Sequence, residues 1–513
     1  MSDLPPNLRE PTVADVKRYA ERNNLHISDA EAEEYRDLIG SKLTVFELLE
    51  GFQEPTPTIA YTDRDPGYRP GEDEDPYNAF VTKCRVSGNS NGPLADYDVA
   101  VKDNVAVAHV EMTSGSKTLE GFVPSFDATV VHELLDAGAT IVGKTNLDEF
   151  AVSGSGELTA TGPILNPRND DYLAGGSSGG SAIAVITGDA DIALGTDQAG
   201  SIRTPAAWCG CVGHKPTYGL VPYTGAIPGG PTYDHVGPMA RTVEDCALAM
   251  EAMTVEDELD PRQPAINPQK YADALRNDVD DLTIGVLEEG FETMHSEPSV
   301  DQTVRDAVDR LADFGADVER VSVPWHSDGI LVWLGVATGE SAALLRDNGQ
   351  GYYMDGHYHT QYLRELARVK KANADELAPT VKLKMMLGEY LQSEHDGYYH
   401  AKAQNLRREL RKAYDDALAE VDVLAMPTTP TTAFELKEDL TLTDKVNRAQ
   451  GKDGRTTNTM PFNMTGHPAT TVPCGTNGDG LPVGLMFVGD RFDDATTLRA
   501  AHAFETNTDW LDE

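Results

Sequence analysis

Apolar and polar positions follow two different periods along this chain, and the change of period divides it. Over "TVADVKRYAERNNL", Thr12 is placed as an N-cap, and Val13, Val16, Tyr19 and Ala20 fall on one face of a helix. "SDAEAEEYRDLIG" predicts a second helix, opened by Ser28 with Glu31 as its capping-box partner and ended at Gly40. Gln53 to Pro76 is rich in proline and acid and reads as an extended strap. The expected organisation is an N-terminal helical region over 1–52, a strap over 53–79 and one large domain over 80–513.

From about residue 80, short apolar runs alternate with helical ones. "YDVAV" (97–101), "ATIVG" (139–143), "DIALG" (191–195) and "TIGVL" (283–287) predict strands. "ATVVHELLDAG", "AIAVITG" and "DQTVRDAVDRLADFG" predict helices, and "DVERVSV" a further strand. "NLRRELRKAYDDALAEVDVLAMPTTP" predicts a long helix and then a strand stopped by Pro427. Such alternation places the chain in the α/β class, with a parallel or mixed sheet covered by helices. The helices at 304–314 and 399–419 read as amphipathic cover, and Ile330–Ala337 reads as core.

Charge narrows the partners. Asp plus Glu is 84 against 42 Lys plus Arg, a net −42 spread along the whole chain. Such a field repels nucleic acid and anionic membranes, so neither is an expected partner. An acidic shell of this size predicts a halophilic protein. The five cysteines are odd in number and irregular in spacing, which argues against a disulfide framework. Cys209-Gly-Cys211 with His214 lacks a second ligand pair, so no metal is expected and the thiols read as buried. No secretory leader pattern opens the chain and no apolar run approaches 18 residues, so a cytoplasmic location is expected.

One stretch carries candidate chemistry: "AGGSSGGSAIAV", Ala174 to Val185. A flexible linker would not run straight into an apolar helix. A phosphate loop would need a Lys after its glycines, and the Gly-x-Gly-x-x-Gly pattern is absent. The hydrolase elbow Gly-x-Ser-x-Gly is matched only loosely, with its second glycine one place early. Two other segments complete the reading. "VKDNV" puts Lys102 at a strand end, and "GTDQAGSIRTPAAWCG" puts Ser201 behind Gly195, Ala199 and Gly200.

Lys102, Ser177 and Ser201, in this order and within these segments, resemble the amidase signature family. "NLDEFA", "TGPILNP", "HKPTYGLVP", "PFNMTGHPATTVP" and "GLPVGLMFVG" follow the family's order, so the resemblance spans roughly residues 75–505. The helical start, "PGYRP" and "GLVPYTGAIP" are most similar to the stand-alone bacterial amidases associated with nitrile hydratases. The resemblance implies a large mixed, twisted sheet covered by helices on both faces, with an N-terminal helical appendage. It implies hydrolysis of a small-molecule carboxylic amide to carboxylate and ammonia through an acyl-enzyme, without a cofactor, by a homodimer.

The family roles carry over residue by residue. Ser201 is the nucleophile, Ser177 the bridging serine on a cis peptide after Gly176, and Lys102 the base. A base at neutral pH must be uncharged, and the end of "DVAVK" is apolar enough to bury an amine. Backbone N–H groups of Gln198, Ala199 and Gly200, with that of Ser201, are the expected oxyanion donors. Asp197 and Arg203 are expected to pair and brace the loop. Ala199 stands where the family usually has glycine, so a positive φ there would strain it. His132, His214, His235 and His467 read as structural, His235 also as a candidate pocket wall. Phe150, Trp208, Tyr223 and Tyr233 are candidates to line an acyl pocket. The amidase subunit of a tRNA-dependent amidotransferase shares this core and is the alternative, and a non-catalytic scaffold would have lost one of the three residues.

Overall fold

The structure is a computed structural model that describes residues 8–349, 355–452 and 454–510. It contains two compact units, Met1–Thr58 and Ile59–Glu513.

In the first unit, Thr12 caps the helix Val13–Arg22 reciprocally. The Asp15 amide donates to Thr12 Oγ1 (3.2 Å), and the Thr12 amide donates to the Asp15 carboxylate (2.9 Å). Val16 and Ala20 are buried, whereas Tyr19 is exposed. Ser28 and Glu31 repeat the device on the helix Asp29–Leu49. The expected stop at Gly40 does not occur. Gly40 lies outside the positive-φ glycines, and a helical glycine costs only about 1 kcal/mol against alanine, which the surrounding helix absorbs.

In the second unit the strands are β1 (Arg64–Tyr68), β2 (Phe80–Ser87), β3 (Asp98–Lys102), β4 (Thr140–Thr145), β5 (Leu165–Asn166), β6 (Asn169–Leu173), β7 (Ile192–Asp197), β8 (Val212–Lys215), β9 (His235–Ala240), β10 (Thr283–Leu287), β11 (Asp317–Val321), β12 (Val423–Pro427), β13 (Ala469–Thr476) and β14 (Pro482–Gly489). Twelve of them form one mixed sheet in the order β1-β2-β4-β3-β7-β9-β8-β13-β14-β12-β10-β11, and β5 pairs with β6 apart from it. β3 runs parallel to β4 and to β7, with Val99, Ala100 and Val101 opposite Ile192, Ala193 and Leu194. All six of these residues are fully buried, as parallel strands covered on both sides require.

The strap is not free of the fold. Arg64–Tyr68 joins the sheet as edge strand β1, and the nearly buried Arg64 side chain grips Asp127 with two hydrogen bonds (2.9 and 2.5 Å). Ile330–Ala337 also departs from expectation. It lies within the helix Trp325–Arg346, where Val332, Val336 and Ala337 are buried but Leu331 and Leu334 are exposed. By length and composition alone this helix is apolar enough to cross a bilayer, with 44% of its most apolar window buried. It packs against the helices Pro379–His395, Tyr398–Leu418 and Met460–Thr465.

Candidate active site

Three short connections put the chemistry together. Lys102 ends β3, Ser177 stands just before the helix Gly179–Ile186, and Ser201 lies in the turn after β7. Because β3 and β7 are adjacent and parallel, both deliver their C-terminal ends to the same edge of the sheet, where α/β folds place ligands.

Lys102 is fully buried. Its Nζ lies 2.8 Å from Ser177 Oγ, 2.8 Å from Ser178 Oγ, 2.9 Å from Thr196 Oγ1 and 3.3 Å from the Thr196 carbonyl. No carboxylate among the described residues touches it. The neighbouring Asp103 instead pairs with Lys144 at 3.0 Å and accepts from Thr113 and from the Ser114 amide. Burial pushes Lys102 down to about 7, and the more distant charges of Asp148 and Asp197 only partly oppose this. The Gly176–Ser177 peptide is cis. The Ser178 amide donates to the Ser201 carbonyl (3.2 Å), which ties the two serine loops together.

Asp197 and Arg203 form a fully buried bidentate pair, Nε–Oδ2 and Nη2–Oδ1 both at 3.0 Å. Asn463 donates to Asp197 Oδ1 and to its carbonyl (2.9 Å each), and Arg203 also reaches the Thr459 carbonyl at 3.0 Å. Burial alone would raise the Asp197 carboxyl, but Arg203 holds it well below the usual carboxylate range. The same carboxylate accepts from the Gly200 amide (2.7 Å) and the Ile202 amide (3.2 Å). Gly200 N–H, expected among the oxyanion donors, is therefore committed to the brace. The amides of Gln198, Ala199 and Ser201 have no acceptor among the described residues. The residue that needs φ > 0 is Gly200 (φ 122°), not Ala199, so the alanine carries no such strain.

Ser201 is 5% exposed and lies in the wall of a cavity of about 870 Å³, with Gly176, Gln198 and Ala199 beside it; Ser177 and Lys102 sit behind, fully buried. Of the expected pocket residues, Phe150 and Tyr233 line this cavity. Trp208 does not: it packs against Phe434 and donates to the Thr431 carbonyl. Tyr223 lies in a smaller neighbouring cavity, its hydroxyl accepting from Gln198 Nε2 (3.0 Å). His235 is also outside the lining, its Nδ1 facing the carbonyls of Tyr233 (2.9 Å) and Asp197 (3.3 Å). His214 is held by Thr470 and Asp494, and His467 by Thr465 and Asp415. Two groups with metal-ligand chemistry, Asp415–His467–Asp490 and Asp278–Asp280–Asp281, lie away from the cavity lining.

Several members of the site carried no assignment in the sequence. Ser178 and Thr196 stand inside the quoted motifs but gave no separate signal. Trp333 donates from Nε1 to the Gln198 carbonyl (2.7 Å), although its run read as plain core.

The profile of the family described as Amidase matches residues 79–498. The chain is 42% identical over 438 residues to an enantioselective amidase of Rhodococcus rhodochrous, covering 84% of this chain and 83% of that one. It is 41% identical to a glutamyl-tRNA(Gln) amidotransferase subunit from Natronomonas pharaonis, over 83% of this chain and 99% of that one. Among solved structures, the peptide amidase of Stenotrophomonas maltophilia is 30% identical, with a TM-score of 0.67 over 81% of this chain and 83% of that one.

Proposed function

The chain belongs to the amidase family and is a hydrolase of carboxylic amides, and we propose that it acts alone on small amides through Ser201, Ser177 and Lys102. The carrying observation is the contact of Lys102 Nζ with Ser177 Oγ at 2.8 Å in a buried place that favours the neutral amine.

The hydrogen bonds support the Ser177–Lys102 half of a proton relay. A neutral amine offers two N–H donors and one lone pair. Ser178 Oγ donates to the Thr196 carbonyl (3.2 Å), so it faces Lys102 as an acceptor. Thr196 Oγ1 receives Asn104 Nδ2 (3.1 Å) and is an acceptor for Lys102 as well. With both N–H groups used in this way, and the Thr196 carbonyl a longer contact at 3.3 Å, the proposed step has the lone pair face Ser177. In the proposed step, Ser201 Oγ attacks the amide carbonyl and passes its proton to Ser177, whose own proton goes to Lys102. The free amides of Gln198, Ala199 and Ser201 take the oxyanion. Lys102 returns the proton through Ser177 to the departing nitrogen, and ammonia leaves. Water then attacks the acyl-Ser201 ester by the same relay.

A second reading has its own support: at 41% identity, the chain spans nearly all of a glutamyl-tRNA(Gln) amidotransferase subunit. One assay separates the two. Ammonia release is measured from propionamide, benzamide, an arylpropionamide and glutamine in molar KCl, with Ser201→Ala as the blank. Release from the simple amides, lost in the variant, supports the stand-alone enzyme. Release from glutamine alone, or only after addition of tRNA and a partner protein, moves the reading to the amidotransferase.

The same proposal includes a cytoplasmic homodimer, which rests on the resemblance to stand-alone amidases, and adaptation to salt, supported by the −42 charge. Its expected signature is a melting temperature that falls steeply from molar KCl to dilute buffer; an unchanged melting curve removes the halophilic part.

A further inference from the structure

Four lysines of the second unit are buried among the described residues, and three have acceptors. Lys102 has its hydroxyls, Lys144 has Asp103, and Lys215 donates to the carbonyls of Pro216 (3.0 Å) and His467 (2.6 Å). The fourth, Lys384, lies on the helix Pro379–His395, is 9% exposed and lines the cavity of Ser201. Among the described residues its Nζ makes no hydrogen bond and no ion pair. Its one polar contact is with the face of Trp333, 5.1 Å from the ring centroid. A buried cation without an acceptor is costly, and methionine or leucine would fill the space without that cost.

Three other charged groups on the cavity wall are engaged elsewhere. Glu289 accepts from Ser322 and the Val323 amide, Glu292 holds Arg305, and the Arg455 guanidinium lies over the rings of Trp208 and Phe434. Lys452 is exposed. Burial lowers Lys384 only to about 8, so most of it carries its proton at neutral pH.

Trp333 relates this ammonium to the loop that carries Ser201. The indole N–H is bonded to the carbonyl of Gln198, in the loop that presents Ser201, while the ring face carries Lys384. Nζ is therefore at most about 10 Å from that carbonyl, a hydrogen bond and an indole's width away. A benzene ring bearing an amide at one end and a carboxylate at the other fits within this limit.

We propose that Lys384 is a specificity-determining residue that receives a carboxylate on the acyl part of the amide, with the Trp333 ring flanking the hydrocarbon between the two ends. The inference rests on the amidase reading for the orientation of the substrate. It adds a substrate class, amides of dicarboxylic acids with the second acid group left free.

The probes are 4-carbamoylbenzoate and its neutral analogue of similar size, 4-methylbenzamide, compared at one salt concentration. In the wild type the carboxylate amide is expected to have the larger kcat/KM, by tenfold or more and mainly through KM. In Lys384→Met that ratio is expected to fall at least tenfold, and Lys384→Arg to restore part of it. Binding is measured in parallel by calorimetry on Ser201→Ala with and without Lys384→Met. There the Kd of 4-carbamoylbenzoate is expected to rise at least tenfold with the second change. Equal binding of the two probes by Ser201→Ala, or a preference that survives Lys384→Met, overturns the proposal. Tight, Lys384-dependent binding with no turnover of either amide by the wild type would instead count against the hydrolytic reading alone.

Discussion

Replacing Lys102 by methionine keeps the length of the side chain and removes its proton chemistry, and the structure fixes the sign of two effects. In the folded chain this amine sits at about 7, against an ordinary value of 10.5. That difference corresponds to about 5 kcal/mol of stability forgone at pH 7 and below, at 1.36 kcal/mol for each factor of ten. Between pH 7 and 10.5 the unfolded chain binds a proton that the folded chain lacks. Wild-type stability therefore falls as the pH drops through this window, and is restored only above 10.5. Lys102→Met feels none of this.

The variant also loses hydrogen bonds, each worth about 1 kcal/mol net. Ser178 and Thr196 keep other partners, so the loss is about 2–3 kcal/mol. Lys102→Met is thus expected to be more stable than the wild type by about 2–3 kcal/mol at pH 7, and less stable by a similar amount as pH 10.5 is approached. Urea unfolding of both proteins at pH 7, 8, 9 and 10 in the same salt reads this directly. A gap independent of pH refutes the buried neutral amine. Activity is the second readout: loss of a general base costs about 10²–10⁴-fold. The wild-type kcat/KM is expected to fall tenfold per pH unit below about 7. A variant within tenfold of the wild type would remove Lys102 from the relay.

Two further changes test the loop that carries Ser201. Asp197→Asn leaves Arg203 charged and buried without its carboxylate, a change worth about 3–5 kcal/mol; a melting temperature unchanged from the wild type would show that Asn463 and the Thr459 carbonyl hold Arg203 unaided. Gly200→Ala puts a Cβ at 2.3 Å from Thr459 Oγ1 on a backbone with φ of 122°, and is expected to lower kcat at least about 100-fold by displacing the free amides. Full kcat in that variant would mean the loop tolerates the shift.

The sequence disclosed several strands that obey simple patterns and concealed two that break them. β3, β4, β7 and β10 are short apolar runs, and the adjoining helices have clear periods. β9 contains Pro238 opposite Leu194 in the middle of the sheet, and β13 carries Pro473 at a register shift. Proline lacks a ladder donor, so both segments argue locally against a strand that the neighbouring strands nonetheless impose. In the site, Lys102, Ser177 and Ser201 were legible because each stands in a recognisable motif. Asn463, Trp333 and Lys384 come from helices far along the chain, and only folding places them near the serines. The free amides beside Ser201 were legible as a loop but not individually, because the diversion of Gly200 N–H to Asp197 is a matter of geometry.

The order of strands has a consequence for how the protein is made. β13 and β14, near the end of the chain, occupy the interior of the sheet between β8 and β12. While the ribosome is still translating, β8 and β12 each present an edge that only later strands pair in the native sheet. Such edges are templates for unwanted pairing between nascent chains, and they stay open until residue 489 has emerged. Asn463, which braces Asp197, arrives in the same late stretch. The brace of the Ser201 loop is therefore completed at the close of synthesis, and a chain cut short before these strands loses the middle of its sheet rather than a dispensable tail.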